Sequence, residues 1–177
     1  ENWLINWIYH QIDQLTAKQA DFVWAVSSRI AEKRKEQGIS DKKIYLIPNS
    51  PPMAEIKRLS YSAIDSHRVI IVSSLVRSIN FPIILEAMAD LVEEFSQIKL
   101  DIIGSGGYEQ ELRELVKKLK IEDKVTFLGR MTHQGVFSNL TKSAIGIAPY
   151  TTDNPWTYFC DPMKVRDYLA CGLPVIM

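Results

Sequence analysis

Cysteine is nearly missing from this 177-residue chain: Cys160 and Cys171 are the whole complement. Two cysteines build no secreted disulfide framework, so a reducing, cytosolic setting is expected. An excess of one charge is missing too. Lys plus Arg number 21 and Asp plus Glu 21, leaving no polybasic field to capture nucleic acid or an anionic membrane by electrostatics alone. Gly and Pro number eight each, against 46% hydrophobic and 24% charged residues, which excludes collagen, low complexity and disorder. Uncharged apolar runs such as Val69 to Val76 fall far short of the roughly 20 residues that cross a bilayer. The start has no basic n-region and no small-residue cleavage site, so these first residues are not expected to be a signal peptide. It also lacks an initiator Met, and the chain is expected to begin inside a larger protein. The length suits about 1.2 domains of ordinary size, with a core that needs no disulfide or metal staple.

Apolar residues recur with helical and extended periods in alternation. Residues 2–19 carry Leu4, Trp7, Ile8, Ile12 and Leu15 on one helical stripe. Residues 22–26 read as a buried strand. Ser27 or Ser28 caps a helix over 29–37 that Gly38 ends. Ile44 to Ile47 is a strand, stopped by the Pro-rich run from Pro48 to Pro52. A second series opens with the β-branched strand Val69 to Val72. Asn80 and Pro82 start a helix with Ile84, Ala87, Met88, Leu91 and Phe95 inward. The strand Ile98 to Ile103 runs into Gly104-Ser105-Gly106-Gly107. The next helix turns Leu112, Leu115, Val116 and Leu119 to one face, with acids at its start and lysines at its end. A strand over 125–128, a helix over 132–141 and a strand over 144–148 follow. The loop from Pro149 to Cys160 is long enough to be functional. Asp161 and Pro162 then read as N-cap and first residue of a helix ending at Gly172, and Pro174 to Met177 begins another strand.

This alternation specifies an α/β fold, a Rossmann-like parallel sheet with helices on both faces. Ligands bind such sheets outside the carboxyl ends of the strands. The loops after Val72, Ile103, Leu128 and Ala148 are therefore the candidate site. Gly104 to Gly107 sits at a strand-to-helix junction, where backbone N–H groups favour an anion. A tight turn that needs positive φ explains the same glycines. A dinucleotide fingerprint is excluded, because its third glycine would be Glu109 and its acid would fall near Leu128-Gly129-Arg130. Lys164 lies in the first turn of the last helix, beside N–H groups of partial positive charge, with Asp167 three residues on. A diphosphate suits the former and a ribose or sugar diol the latter. A surface Lys–Asp pair is the bland alternative.

Five blocks in order resemble one family. They are Asp21 to Ser27, Ile44 to Asn49, Leu100 to Gly106, Val125 to Gly129, and Ala170-Cys171-Gly172-Leu173-Pro174-Val175-Ile176. Together they resemble the C-terminal half of the group-1 glycosyltransferases, retaining nucleotide-sugar enzymes of the GT-B fold. The resemblance implies three parts. Residues 1–50 are the end of an N-terminal, acceptor-side Rossmann-like domain and residues 51–67 are a linker. Residues 68–177 are a nucleotide-sugar-binding Rossmann-like domain, truncated at its C-terminal end. It also implies metal-independent chemistry without a cofactor, the nucleotide sugar being a substrate.

By this resemblance the charge left on the departing diphosphate is stabilised by cations and helix dipoles, not by a side-chain nucleophile. Lys164 and Arg77 are the expected catalytic cations. Asp167 would accept the ribose, and Asp161, Met163, Ser74, Gly104, Gly106, Arg130 and Met131 would complete the donor site. The chain departs from the family pattern at several places, Ser50 standing where Gly is usual and Asp167 where Glu is. Phe159 stands where a Glu touches the donor sugar, and Ser74 and Ile79 stand where a basic pair meets the diphosphate. Pro162-Met163-Lys164 with Asp167-Tyr168 fits a subgroup pattern instead.

The expected function is hexose transfer, with retention, from a nucleoside-diphosphate sugar to a glycan or lipid-linked acceptor in polysaccharide or glycoconjugate biosynthesis. The isolated fragment is expected to be inactive. The setting is cytoplasmic, with peripheral contact at the inner face of a membrane in the full-length protein, and no nucleic-acid partner. The departures motivate the alternative, a non-catalytic GT-B-like binding module or partner subunit. A third reading is an interaction domain that binds no nucleotide. His10, His67 and His133 are too far apart for metal-ligand spacing.

Overall fold

A computed structural model describes residues 2–150 and 155–177. In chain order the elements are α1 (Trp3–Gln19), β1 (Val23–Ala25), α2 (Ser28–Glu36), β2 (Ile44–Leu46), β3 (Asp65–Val72), α3 (Phe81–Glu94) and β4 (Lys99–Ile103). They continue as α4 (Glu109–Leu119), β5 (Val125–Gly129), α5 (His133–Leu140), β6 (Ser143–Ile147), α6 (Pro155–Phe159), α7 (Met163–Cys171) and β7 (Val175–Ile176). They fall into two compact units, residues 1–49 with 151–162 and residues 50–150 with 163–177.

The second unit is built on a five-stranded parallel sheet in the order β5-β4-β3-β6-β7. Ile70 and Ile71 on the central strand are fully buried, one toward each face. A strand covered on both sides can carry a continuous β-branched run, which is what Val69 to Val72 shows. On one face Ile71, Leu100 and Ile102 pack against Phe81 and Leu85 of α3 and Leu112 of α4. On the other, Ile70 and Ile103 pack against Phe137 and Leu140 of α5 and Tyr168 of α7. Burial of each such aliphatic side chain stabilises the fold by about 1.5–3 kcal/mol. The expected parallel sheet with helices on both faces is the one observed.

Boundaries differ in places. β3 begins at Asp65, four residues before the β-branched run, and the Asp65 N–H donates to the Lys142 carbonyl at 2.9 Å. The stretch read as a linker holds two short 3-10 turns, Met53–Glu55 and Tyr61–Ala63. Ile56 joins the α5–α7 core, and Arg58 donates to the Ala170 carbonyl at 2.7 Å. Residues 51–67 are thus attached to the second unit along much of their length.

In the first unit β1 and β2 pair in parallel. Ser27 caps α2 as expected, accepting the Ile30 N–H, and its hydroxyl also donates to the Phe159 carbonyl at 2.7 Å. Arg29 lies over the Tyr158 ring at 3.9 Å and donates to that residue's carbonyl. The segment read as a loop therefore contains α6, tied to α2 by both contacts. Residues 151–154 of that loop lie outside the described residues. The apolar stripe of α1 does not face inward. Leu4, Trp7, Ile8, Ile12 and Leu15 are all exposed, and Ala17 is the residue of α1 that is buried.

Candidate functional site

Between the carboxyl ends of β3, β4 and β5 lies a concavity of about 530 Å³. Val72 and Ile103 form its floor at two strand ends. Ser73, Ser74, Gly104 and Ser105 line the loops above them, and Arg130, Met131, Val136 and Lys164 complete the wall. Two of these side chains are ionisable, Arg130 and Lys164, and both are cations. Among the described residues no carboxylate lines it. Three hydroxyls and two positive charges at a strand edge make a place for an anion.

Backbone hydrogen bonds clasp the loops together. The Ser73 N–H donates to the Ile103 carbonyl at 2.9 Å, the Leu75 N–H to Ser105 at 3.1 Å, and the Tyr108 N–H back to Leu75 at 3.1 Å. This clasp explains the glycines. A Cβ on Gly104, whose φ is +144°, would meet the Ser73 carbonyl oxygen at 1.8 Å, and one on Gly106 would meet the Leu75 oxygen at 2.1 Å. Close backbone approach, more than turn geometry alone, requires glycine at both positions. Gly104 thereby forms part of the concavity, and Gly106 supports it from behind.

Lys164 sits in the first turn of α7. Its ammonium donates to the Ser73 hydroxyl at 3.0 Å and stands 5.2 Å from the centre of the Tyr150 ring. Ser74, Gly104, Arg130, Met131 and Lys164 are thus brought to one place. The other expected site residues are not. Arg77 is a correction. Its guanidinium spends its charge on the Glu111 carboxylate, 2.6 Å from both oxygens, and lies 4.9 Å from the centre of the Tyr108 ring. It does not line the concavity. Asp161 lies in the first unit, where its carboxylate accepts the Asn49 N–H at 2.8 Å and its carbonyl accepts the Asn49 side chain. α7 accordingly begins at Met163, one residue later than expected, and the exposed Met163 side chain is not on the lining. Asp167, a turn further along α7, is also off the lining. Burial pushes its carboxyl above the usual aspartate range, with the charge of His133 opposing.

Contributors missed from sequence include Ser73, Ser105 and Tyr168. Ser73 is the first residue past the β-branched strand, a position that marks the ligand-binding edge. Tyr168 is fully buried beneath the site, and its spacing of four from Lys164 puts both on one helix face.

A family model for glycosyl transferases group 1 matches residues 55–177. The chain belongs to the group 1 glycosyl transferases. Relatives of this glycosyl transferase chain include a phosphatidylinositol N-acetylglucosaminyltransferase component from Arabidopsis thaliana. It is 25% identical over 137 residues, which are 77% of this chain and 29% of that protein. The alpha-monoglucosyldiacylglycerol synthase of Streptococcus pneumoniae is 28% identical over 97 residues, 55% of this chain and 21% of the synthase. Among solved structures, Anabaena HepE in complex with UDP superposes with a TM-score of 0.72 at 19% identity, covering 91% of this chain and 45% of HepE. The pneumococcal O-GlcNAc transferase GtfA, in complex with UDP and GlcNAc, gives 0.71 at 21% identity, covering 94% and 32%. These likenesses show that the chain shares the GT-B fold. The chain spans about a fifth to a third of the length of these curated relatives. Among the described residues no helix is long and apolar enough to cross a membrane.

Proposed function

We propose that this protein transfers a hexose, with retention, from a nucleoside-diphosphate sugar to a glycan or lipid-linked acceptor. The observation that carries this reading is the concavity at the strand ends, lined among the described residues by two cations, three serines and no carboxylate. Breaking the bond between sugar and diphosphate leaves negative charge on the departing nucleotide. Cations fixed in place before the reaction stabilise that charge without reorganising. In this reading Lys164 and Arg130 face the diphosphate and the hydroxyls of Ser73 and Ser74 add donors. Met131 borders the base, and the Asp167 carboxylate accepts the ribose diol. Arg130 takes the part expected of Arg77. No metal or cofactor is needed, because protein cations carry the charge. The relatives whose names carry phosphatidylinositol and monoglucosyldiacylglycerol support a lipid-linked acceptor, which would bring the protein to a membrane surface.

One observation favours a second reading. Arg77 is bound to Glu111, and Ser74 and Ile79 bring no charge, so the loop after β3 offers the concavity no cation. A nucleotide-sugar-binding subunit without catalysis has this property too. The test is to give the full-length protein UDP-, GDP- and ADP-sugars and follow released nucleoside diphosphate, with calorimetry alongside. Turnover on one donor supports the transferase. Binding without release on every donor supports the non-catalytic reading. Binding of none overturns both.

A further inference from the structure

We propose that Tyr168 is a positioning residue that sets the Lys164 ammonium against Ser73, an inference that rests on reading Lys164 as a phosphate-binding cation. Lys164 and Tyr168 stand four residues apart on α7 and so share a face. The Tyr168 ring is fully buried, and its hydroxyl accepts the Val72 N–H at 2.7 Å while donating to the Ile147 carbonyl at 3.3 Å. Val72 and Ile147 are the last residues of β3 and β6. These neighbouring strands flank the point where the sheet order reverses, with β4 on one side of β3 and β6 on the other. Ligands of such sheets sit above this crevice.

The residue after Val72 is Ser73, which receives the Lys164 ammonium at 3.0 Å. α7 is therefore fastened to two consecutive residues at the end of β3, by a buried hydroxyl and by the cation itself. β6 is shaped for the same ring. A Cβ on Gly146 would come within 2.5 Å of Tyr168 Cδ2, so the aromatic ring lies directly on the strand backbone. Burial pushes the phenol well above its ordinary range, and the proton that bonds Ile147 is retained. Phenylalanine at 168 keeps the ring and removes the hydroxyl. The Val72 N–H then loses this acceptor, and the reach from α7 to Ser73 is no longer fixed.

The test uses Tyr168→Phe, with Gly146→Ala as a second variant that disturbs the same tie by displacing the ring. Thermal unfolding first establishes that each is folded. Acylation of individual lysines by N-hydroxysuccinimidyl acetate is then followed by mass spectrometry, and UDP and uridine affinities are measured by calorimetry. Acylation of Lys164 is expected to rise severalfold while the other lysines keep their rates. UDP binding is expected to weaken about tenfold, as for one lost hydrogen bond, with uridine affinity unchanged. A role confined to stability would instead raise acylation at every lysine and move both ligands together, overturning the proposal. So would an unchanged Lys164 rate in whichever variant folds. Faster acylation confined to Lys164, with UDP affinity unchanged, supports the positioning role and overturns the phosphate role of Lys164.

Discussion

Gly106 lies so close to the Leu75 carbonyl that a Cβ at this position would stand 2.1 Å from its oxygen. Three backbone hydrogen bonds hold the two loops at that separation. Gly106→Ala must push the loops apart, and a cost of about 1–3 kcal/mol is expected in chemical denaturation. Gly107→Ala is the control. Its Cβ would meet nothing within 4 Å, so a change within about 0.5 kcal/mol is expected. Equal effects in the two variants would mean that the loop clasp is not what requires glycine.

The three candidate cations separate by where they lie. Arg77 holds Glu111 outside the concavity, whereas Lys164 and Arg130 line it. Arg77→Ala is expected to leave the UDP dissociation constant within about twofold. Lys164→Met and Arg130→Ala each remove a full charge from the concavity proposed to hold the diphosphate and should weaken UDP by about tenfold or more. Calorimetry on the three variants decides the matter, and a large loss in Arg77→Ala would return that residue to the donor site.

The parallel sheet was legible because period and length both report burial. Val69 to Val72 is a short β-branched run of the kind a doubly covered strand carries, and Pro82 suits the first turn of a helix. That Lys164 and Gly104 come to one concavity was legible because loops after strand ends and helix starts in such sheets gather at one edge. That Arg77 lies off the concavity was not legible for a reason local sequence does not carry: its partner Glu111 lies 34 positions away, on α4. Tyr168 was overlooked because a buried hydroxyl between two strand ends looks, in sequence, like any helix aromatic. The stripe of α1 had the right period, but periodicity names a face without naming what covers it.

Away from the site, Arg68 and Asp101 form an ion pair on the neighbouring strands β3 and β4, and a second guanidinium nitrogen of Arg68 donates to the Asn139 side chain at 2.7 Å. Both partners are largely buried. Asp101→Ala leaves the Arg68 charge without its counterion, so a loss of about 3 kcal/mol is expected in urea denaturation. Arg68→Met with Asp101→Leu removes both charges and should cost much less than Asp101→Ala alone. A double variant as unstable as the single one would show that packing, and not the stranded charge, sets the cost.

Asp167 gives the protein a pH dependence whose sign follows from burial. Its folded carboxyl titrates above the ordinary aspartate range, so the folded state holds the proton more tightly than the unfolded chain does. That contribution is fully present below the unfolded value and is lost as pH rises through the folded one. Once pH has risen through the folded value the wild type bears a half-buried charge that Asp167→Asn lacks, and the variant should then melt higher. The gap should close by pH about 3, where the carboxyl is protonated in both states. The same substitution removes the acceptor proposed for the ribose diol, so uridine and UDP should both bind the stabilised variant more weakly. Melting curves from pH about 3 to 7, with nucleotide titrations at the upper end, test both halves. A higher melting point at pH about 7 with undiminished uridine affinity would leave the desolvation penalty of this half-buried carboxylate standing and withdraw Asp167 from the donor site.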